Sequence, residues 1–441
     1  MTDTIRLQEW TKAQLDGIVD SESHTSYDSA VKSLLKDREI ARTRESTGED
    51  SLSPESMLRD PLKATERLPT PPLDGGVELL FGDAGAGKTT TVAELHRKLS
   101  AADSPVHTVF LSAHGEYGEA VKRAGGVHIA VGRDVGLNPL EIRETPVELL
   151  EREDEDVDPY ASKIGDVMDF FETYFHIRGH GSVPHRGVLE RAVREAYDRK
   201  GITRDPSTHG GTSPTVIDVF DVLGEMSRDA DQFAHSGSNR EREQLERGSC
   251  ELLIALGPFR EGGKFENLSR ETEIDLSDSR VVYVDLQPMH GEGQTELITQ
   301  LLIGFVAERA KQLDDRALLV ADDFPSLIQD IPNLSFLSHS ARRFSQWGLT
   351  AWTVWSSPSE IAAFDDDPAL FERASRIYLH RLEHLDVPMG KHLGLDTRQL
   401  RFVQTALRGQ SGTGSEVLVR DRGGGWTPYR VDPPSETTDG E

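Results

Sequence analysis

One octapeptide, Gly82-Asp83-Ala84-Gly85-Ala86-Gly87-Lys88-Thr89, narrows what this chain can fold into more than any other feature. It fits the pattern G-x-x-x-x-G-K-[ST]. An apolar run, Val77–Phe81, leads into it, and an amphipathic segment, Thr90–Leu99, leads out. Strand, glycine loop and helix in that order build a cradle for a nucleoside triphosphate. The glycines let successive backbone N–H groups point at phosphate oxygens, and the helix N-terminus adds partial positive charge. In that reading the backbone from Gly82 to Thr90 lines the phosphates of ATP. Lys88 reaches the β- and γ-phosphates, and the Thr89 hydroxyl binds Mg²⁺. The alternative is a glycine-rich turn with an exposed lysine, and the flanking strand and helix patterns count against it.

A phosphate cradle needs a metal-organising carboxylate at the end of another strand. Ala317-Leu318-Leu319-Val320-Ala321-Asp322-Asp323 supplies one. The apolar residues predict a buried strand, with two carboxylates at its C-terminal end, where ligands bind in an open α/β sheet. Asp322 is placed to hold Mg²⁺ through a bound water. Asp323 stands where a general base or water-orienting residue belongs. The plainer alternative is a polar strand end with a capping aspartate. Glu116 follows the predicted strand His107–Leu111 and either helps to position water or is a solvated loop carboxylate. Arg342 and Arg343 lie on a predicted helix; they are either fingers for a neighbouring subunit's γ-phosphate or ordinary surface residues. Arg373, Arg376 and Arg381 are secondary candidates. Trp352 and Trp355 read as packing residues. His176, His180 and His185 lack a ligand-spaced partner and read as loop residues.

The 441 residues leave room for two or three domains. Short β-branched runs alternate with helical patterns, which predicts an α/β fold with a mostly parallel sheet. The predicted strands are Val77–Phe81, His107–Leu111, Val127–Val131, Val281–Leu286, Ala317–Ala321, Leu349–Trp355 and Arg376–Leu379. Between residues 142 and 262 strand signals fade, and helical periodicity predicts an all-helical insertion with helices over Ser162–Ile177, Gly187–Lys200, Thr215–Met226 and Glu241–Ala255. The core is thus split into 76–141 and 263–432. Gln294–Gln312 reads as a strong helix, and Ser415–Arg420 with Gly425–Val431 as a β-hairpin on the sheet edge. Residues 1–75 read as polar helices, Arg6–Val19 and Ser26–Glu45, followed by a Pro-rich linker, and 433–441 as an acidic tail.

Acidic side chains number 76 against 49 basic ones, a net charge of −27. The acidity is spread rather than blocked, and Arg outnumbers Lys. That reads as a halophilic adaptation, in which dense carboxylates hold water and counterions; the alternative is a surface for cations or a basic partner. The charge neither supports nor excludes DNA, because a local basic channel can still bind it. Cys250 is the only cysteine, which excludes an internal disulfide and a multi-cysteine zinc site and fits a reducing, cytoplasmic compartment. Met1–Trp10 is too polar for a signal peptide, and no window has the apolar length of a membrane span.

Taken in order, these pieces resemble the ATPases of conjugation and type IV secretion, the TraC, TrbE and CagE type, within the HerA–FtsK superfamily of P-loop motors. The resemblance runs from about Val77 to Val431. Beyond the P-loop it rests on Gly115-Glu116-Tyr117, Leu137-Asn138-Pro139-Leu140, Pro214-Thr215 before a helix, and Val281–Leu286 carrying Asp285. It rests also on Ala341-Arg342-Arg343-Phe344 and Phe371-Glu372-Arg373-Ala374-Ser375. It implies a RecA-like core and a homo-oligomeric, usually hexameric, ring that hydrolyses ATP at subunit interfaces. Such a ring would power transfer of DNA or protein with membrane-borne conjugation or secretion machinery, peripheral at the inner face of the membrane. A nucleotide-binding assembly subunit with weak hydrolysis and a HerA-like duplex DNA translocase are the alternatives.

Three departures bear on that expectation. Asp322-Asp323 stands where the family usually has Asp-Glu, so the second carboxylate is one methylene, roughly 1.5 Å, shorter. Ser356-Ser357 stands where the family often has a glutamine after the following strand. Residues 1–75 are too short and polar to match the large docking domain that many members carry.

Overall fold

The computed structural model describes residues 62–432 apart from 102–105, 115–116, 124, 146–157, 181, 237, 277–278, 290–293, 314–315, 329–336, 338–343, 365–368 and 410–413. Both predicted N-terminal helices and the acidic tail lie outside the described residues. The strands are β1 (Glu66–Arg67), β2 (Gly76–Phe81), β3 (Val106–Ser112), β4 (Val127–Ala130), β5 (Val281–Asp285), β6 (Arg316–Ala321), β7 (Leu349–Trp355), β8 (Arg376–Leu379), β9 (Ser415–Asp421) and β10 (Trp426–Val431). They form one sheet in the order β1-β10-β9-β8-β2-β7-β6-β3-β5-β4. From β8 to β4 all neighbours are parallel. The predicted hairpin β9–β10 closes antiparallel on β8. The α/β class and mostly parallel sheet expected from the sequence are what the chain adopts.

Central strands covered on both faces read as unbroken apolar runs rather than alternating ones. Every residue of β2 and β7 is buried. Side chains nevertheless alternate between two cores. Leu80, Phe110, Leu318, Val320, Trp352 and Val354 meet Val92, Leu95 and Leu99 of α1 (Lys88–Ser100) and Val121 of α2 (Gly118–Arg123). Leu79, Phe81, Leu111, Leu319, Ala321 and Trp355 face a larger core on the other side. That core continues through α3 (Pro159–Ile177), α4 (Arg186–Arg199), α5 (Val216–Arg228) and α6 (Asn239–Ala255), which lie in sequence between β4 and β5, and through α7 (Thr295–Ala310). The Asp158 carboxylate caps α3 by accepting from Ala161 N at 2.9 Å, and Thr215 with Asp218 forms a capping box on α5. Helical spacing puts Leu297, Leu301, Leu302, Phe305 and Val306 of α7 on one apolar face, but Ile298, Ile303 and Ala307 are buried as well. A helix apolar all round is an enclosed helix, and α7 packs against both α3 and β6. Short helices complete the chain: α8 (Phe324–Leu327), α9 (Pro358–Phe364), α10 (Ala369–Arg373), α11 (Val387–His392) and α12 (Thr397–Thr405).

The sequence pattern starts the core at Val77, and the chain joins the sheet earlier. β1 pairs with β10 inside the Pro-rich stretch. Leu68 N donates to Arg430 O at 2.8 Å, Lys98 Nζ of α1 donates to the Leu68 carbonyl, and Leu68 and Leu73 are buried. Composition reads this segment as linker because its pairing is supplied entirely by a distant strand.

Beneath β2 lies a buried charge network. The Glu78 side chain is 2 % exposed and accepts from Tyr378 OH at 3.1 Å. Arg376 stands 3.7 Å from it and pairs with Asp421 at 2.5 Å. Burial outweighs the Arg376 attraction and pushes the Glu78 carboxyl up to about 7. An acid raised on folding stabilises fully below its unfolded value of 4.5, and that contribution is lost as pH rises through about 7. The loss amounts to about 3 kcal/mol. Thermal melts of Glu78→Gln should therefore show a smaller fall in stability between pH 5 and pH 8 than the parent chain. Equal slopes in the two proteins would refute the assignment.

Candidate functional site

The glycine loop leaves β2 at its C-terminal end and turns back into α1. Gly85 and Gly87 are left-handed, with φ of 71° and 103°. Ala86 N donates to Asp83 O at 3.1 Å within the loop, and Thr91 N to Gly87 O at 2.9 Å begins the helix. Ala84, Gly85 and Thr89 are exposed, while Ala86 and Gly87 are buried. The loop is backed from below. A Cβ on Gly87 would lie 2.7 Å from Ser415 Oγ, and one on Gly409 would lie 2.8 Å from the Gly87 Cα. A Cβ on Gly82 would lie 2.7 Å from the His380 Cβ. Asp83 ties the loop to the chain after β8: its N–H donates to Arg381 O at 2.9 Å, and its Oδ2 accepts from Glu383 N at 2.9 Å.

The Lys88 ammonium folds over the start of its own loop, donating to Gly82 O at 2.6 Å and Asp83 O at 3.1 Å. Burial lowers its pKa, against the pull of Asp322, Asp323, Glu360 and Asp83. Those four carboxylates are its electrostatic neighbours, so the cation and the predicted acidic pair occupy one crevice. Topology explains why. β7 alone separates β2 from β6, and two strand spacings are about 10 Å. Parallel strands then present Gly82 and Asp322 at the same edge.

Asp322 is 6 % exposed, and its N–H donates to Leu111 O at 3.0 Å. Its Oδ2 accepts from Tyr117 OH at 2.6 Å, and its Oδ1 from Asp323 N at 2.9 Å. Tyr117 stacks on Phe110, with ring centroids 4.9 Å apart. Asp323 is left-handed, with φ of 49°. Its Oδ2 receives Ser326 Oγ at 2.5 Å and lies 2.7 Å from His114 Nε2. Beyond β7, the Glu360 Oε2 accepts from Ser356 N at 2.9 Å and Ser357 N at 3.1 Å, so a carboxylate from α9 occupies the strand end that the sequence leaves to serines. His380, fully buried beside Gly82, has neither ring nitrogen hydrogen-bonded. Burial first and then Lys88 push it down to about 3, so it stays neutral.

The structure therefore brings together Gly82 to Thr90, Asp322 and Asp323. Glu116, Arg342 and Arg343 lie outside the described residues. Arg376 belongs to the Glu78 network, and Arg381 pairs with Glu383 at 3.1 Å. Trp352 and Trp355 are wholly buried, as packing residues should be. The sequence reading passed over His114, Glu360 and His380. Each follows a strand of the parallel sheet within a few residues, where every polar residue after the strand, and not only the first carboxylate or serine, is a candidate.

The donor set fits Mg²⁺-nucleotide. Mg²⁺ takes one or two protein oxygens and completes its shell with water and phosphate. A buried carboxylate and an exposed threonine hydroxyl beside an open amide loop provide that set. Among the described residues no helix is long and apolar enough to cross a membrane.

Comparison with known proteins agrees with this fold. The structure of VirB4 of Thermoanaerobacter pseudethanolicus matches with a TM-score of 0.61 at 17% identity, over 86% of this chain and 99% of that one. Plasmid coupling protein TrwB in complex with the non-hydrolysable GTP analogue GDPNP gives 0.48 at 12% identity, over 86% and 90%. At 17% identity the likeness to VirB4 is one of fold: a RecA-like P-loop core. No curated protein matches the sequence. Residues 79–306, just over half of the chain, match the family model described as Helicase HerA, central domain. From β2 through α7, therefore, the chain belongs to the HerA central-domain family of P-loop proteins.

Proposed function

We propose that this chain is an ATP-hydrolysing motor subunit of the conjugation and type IV secretion kind. The observation that carries the reading is the meeting of the Lys88 ammonium with the Asp322–Asp323 pair at one edge of a parallel sheet. The amides from Gly82 to Thr90 receive the phosphates. Lys88 exchanges the Gly82 and Asp83 carbonyls for β- and γ-phosphate oxygens. Thr89 and Asp322 hold Mg²⁺, which when bound neutralises charge developing on the phosphates. Tyr117 fixes the Asp322 carboxylate by its 2.6 Å hydrogen bond. Asp323 orients the attacking water, with Glu116 in support. Arg342 and Arg343 complete the site of the next subunit in a homo-hexameric ring. The helices between residues 142 and 262 form an insertion that shares the core of the sheet, and partners of the transfer machinery hold the ring at the inner face of the membrane. DNA or protein is the cargo. The family match favours a second reading, a HerA-like translocase on duplex DNA.

Two measurements test this. Turnover of Mg²⁺-ATP at high salt should be present in the parent chain and fall at least about 100-fold in Lys88→Ala. Survival of the activity would remove the site. Strong stimulation by duplex DNA would favour the translocase; rings recovered with membrane secretion partners and indifferent to duplex would favour the transfer motor. Separately, Gly87→Ala forces a Cβ onto Ser415 and a left-handed backbone onto an L-residue, about 1–2 kcal/mol before the clash. Affinity for a fluorescent ATP analogue should drop at least about tenfold. Unchanged affinity would mean the loop does not cradle phosphate.

A further inference from the structure

His114 pairs with Asp323 across the boundary between two neighbouring strands. Leu111 of β3 stands opposite Ala321 of β6 in register, so His114 and Asp323 leave adjacent strand ends. The His114 N–H is fixed by Ser112 Oγ at 3.1 Å. Across the strand boundary its Nε2 lies 2.7 Å from Asp323 Oδ2. A carboxylate only accepts, so Nε2 carries the proton and donates. The second contact on the same oxygen, Ser326 Oγ at 2.5 Å, is a local side-chain hydrogen bond from the first turn of α8, whereas the histidine reaches over from β3. Two donors thus converge on Oδ2, and among the described residues Asp323 Oδ1 accepts no hydrogen bond. The pair is 43 % and 36 % exposed, so it contributes little to stability. Asp323 nevertheless keeps a left-handed backbone, a conformation that persists where surrounding contacts over-determine it.

We propose that His114 is a positioning residue for ATP hydrolysis: its Nε2–H pins one oxygen of Asp323 so that the other is held for the attacking water. The proposal rests on the ATPase reading above. In the reaction the water oxygen bonds to the γ-phosphorus. The bond from that phosphorus to the bridging oxygen breaks, with its electrons staying on ADP. Both water protons leave on the phosphate product, and His114 neither gains nor loses one. Its contribution is alignment. A short carboxylate cannot hold a water unless its rotation is stopped, and small displacements at the reacting atoms cost large factors in rate.

The test uses the full chain with Mg²⁺-ATP. His114→Ala should lower kcat at least about tenfold, with KM and the affinity for a fluorescent ATP analogue unchanged within about twofold. His114→Gln presents an N–H close to the place of Nε2 and should retain most of the activity. In ¹⁵N-histidine spectra the His114 ring should show the Nε2–H tautomer and shift in Asp323→Asn, which needs no turnover. Unchanged kcat in His114→Ala overturns the proposal. So does loss of ATP-analogue affinity in step with kcat, and so does a His114→Gln no better than alanine. A parent chain without turnover sinks the ATPase reading itself, whereas turnover indifferent to His114 sinks only this assignment.

Discussion

A loop of left-handed glycines keeps its curl only if something behind it prevents collapse. Here that support comes from chain far away in sequence. Gly87 rests on Ser415 and Gly409 at the entry to β9, Gly82 rests on His380 after β8, and Asp83 is bonded to the backbone at Arg381 and Glu383. The hairpin on β8 therefore does more than finish a sheet. It supplies the floor on which the loop amides are shaped, and the Gly87–Gly409 approach leaves no room for a side chain at either position. The rest of the site follows from strand order, because one intervening strand sets the gap between amide loop and carboxylate.

Charge within the crevice is arranged on a similar principle. Four carboxylates surround a single lysine in a chain that is acidic throughout. Burial disfavours the ammonium and the carboxylates favour it; burial prevails, and the Lys88 pKa is lowered among groups that a bound triphosphate would crowd. Its two carbonyl contacts keep it satisfied meanwhile. His380, just below, is stripped of charge by burial, which spares the crevice a second cation.

Much of this was legible in the sequence, for identifiable reasons. β7 and β8 begin and end where the apolar runs do, because buried strands carry their own signal. The octapeptide and the Asp322–Asp323 pair declare themselves by spacing and by position at a strand end. What was hidden depends on contacts rather than on pattern. His114 meets Asp323 across a gap of 209 residues, and Glu360 answers Lys88 from another strand end. α7 hides most of its burial, since periodicity records one face and the second is imposed by α3. β1 hides its pairing with β10, because two residues among prolines have no periodicity to read.

That short strand has a further consequence. Beyond β10 the sheet would otherwise end in a row of open amides and carbonyls, a template for any extended segment that drifts past. β1 covers part of this row, and Arg67 adds a clasp to Asp432 at 3.0 Å. A fragment trimmed to begin at the glycine loop's own strand would keep the whole loop and lose its seal, so its first failing would be sticking to itself.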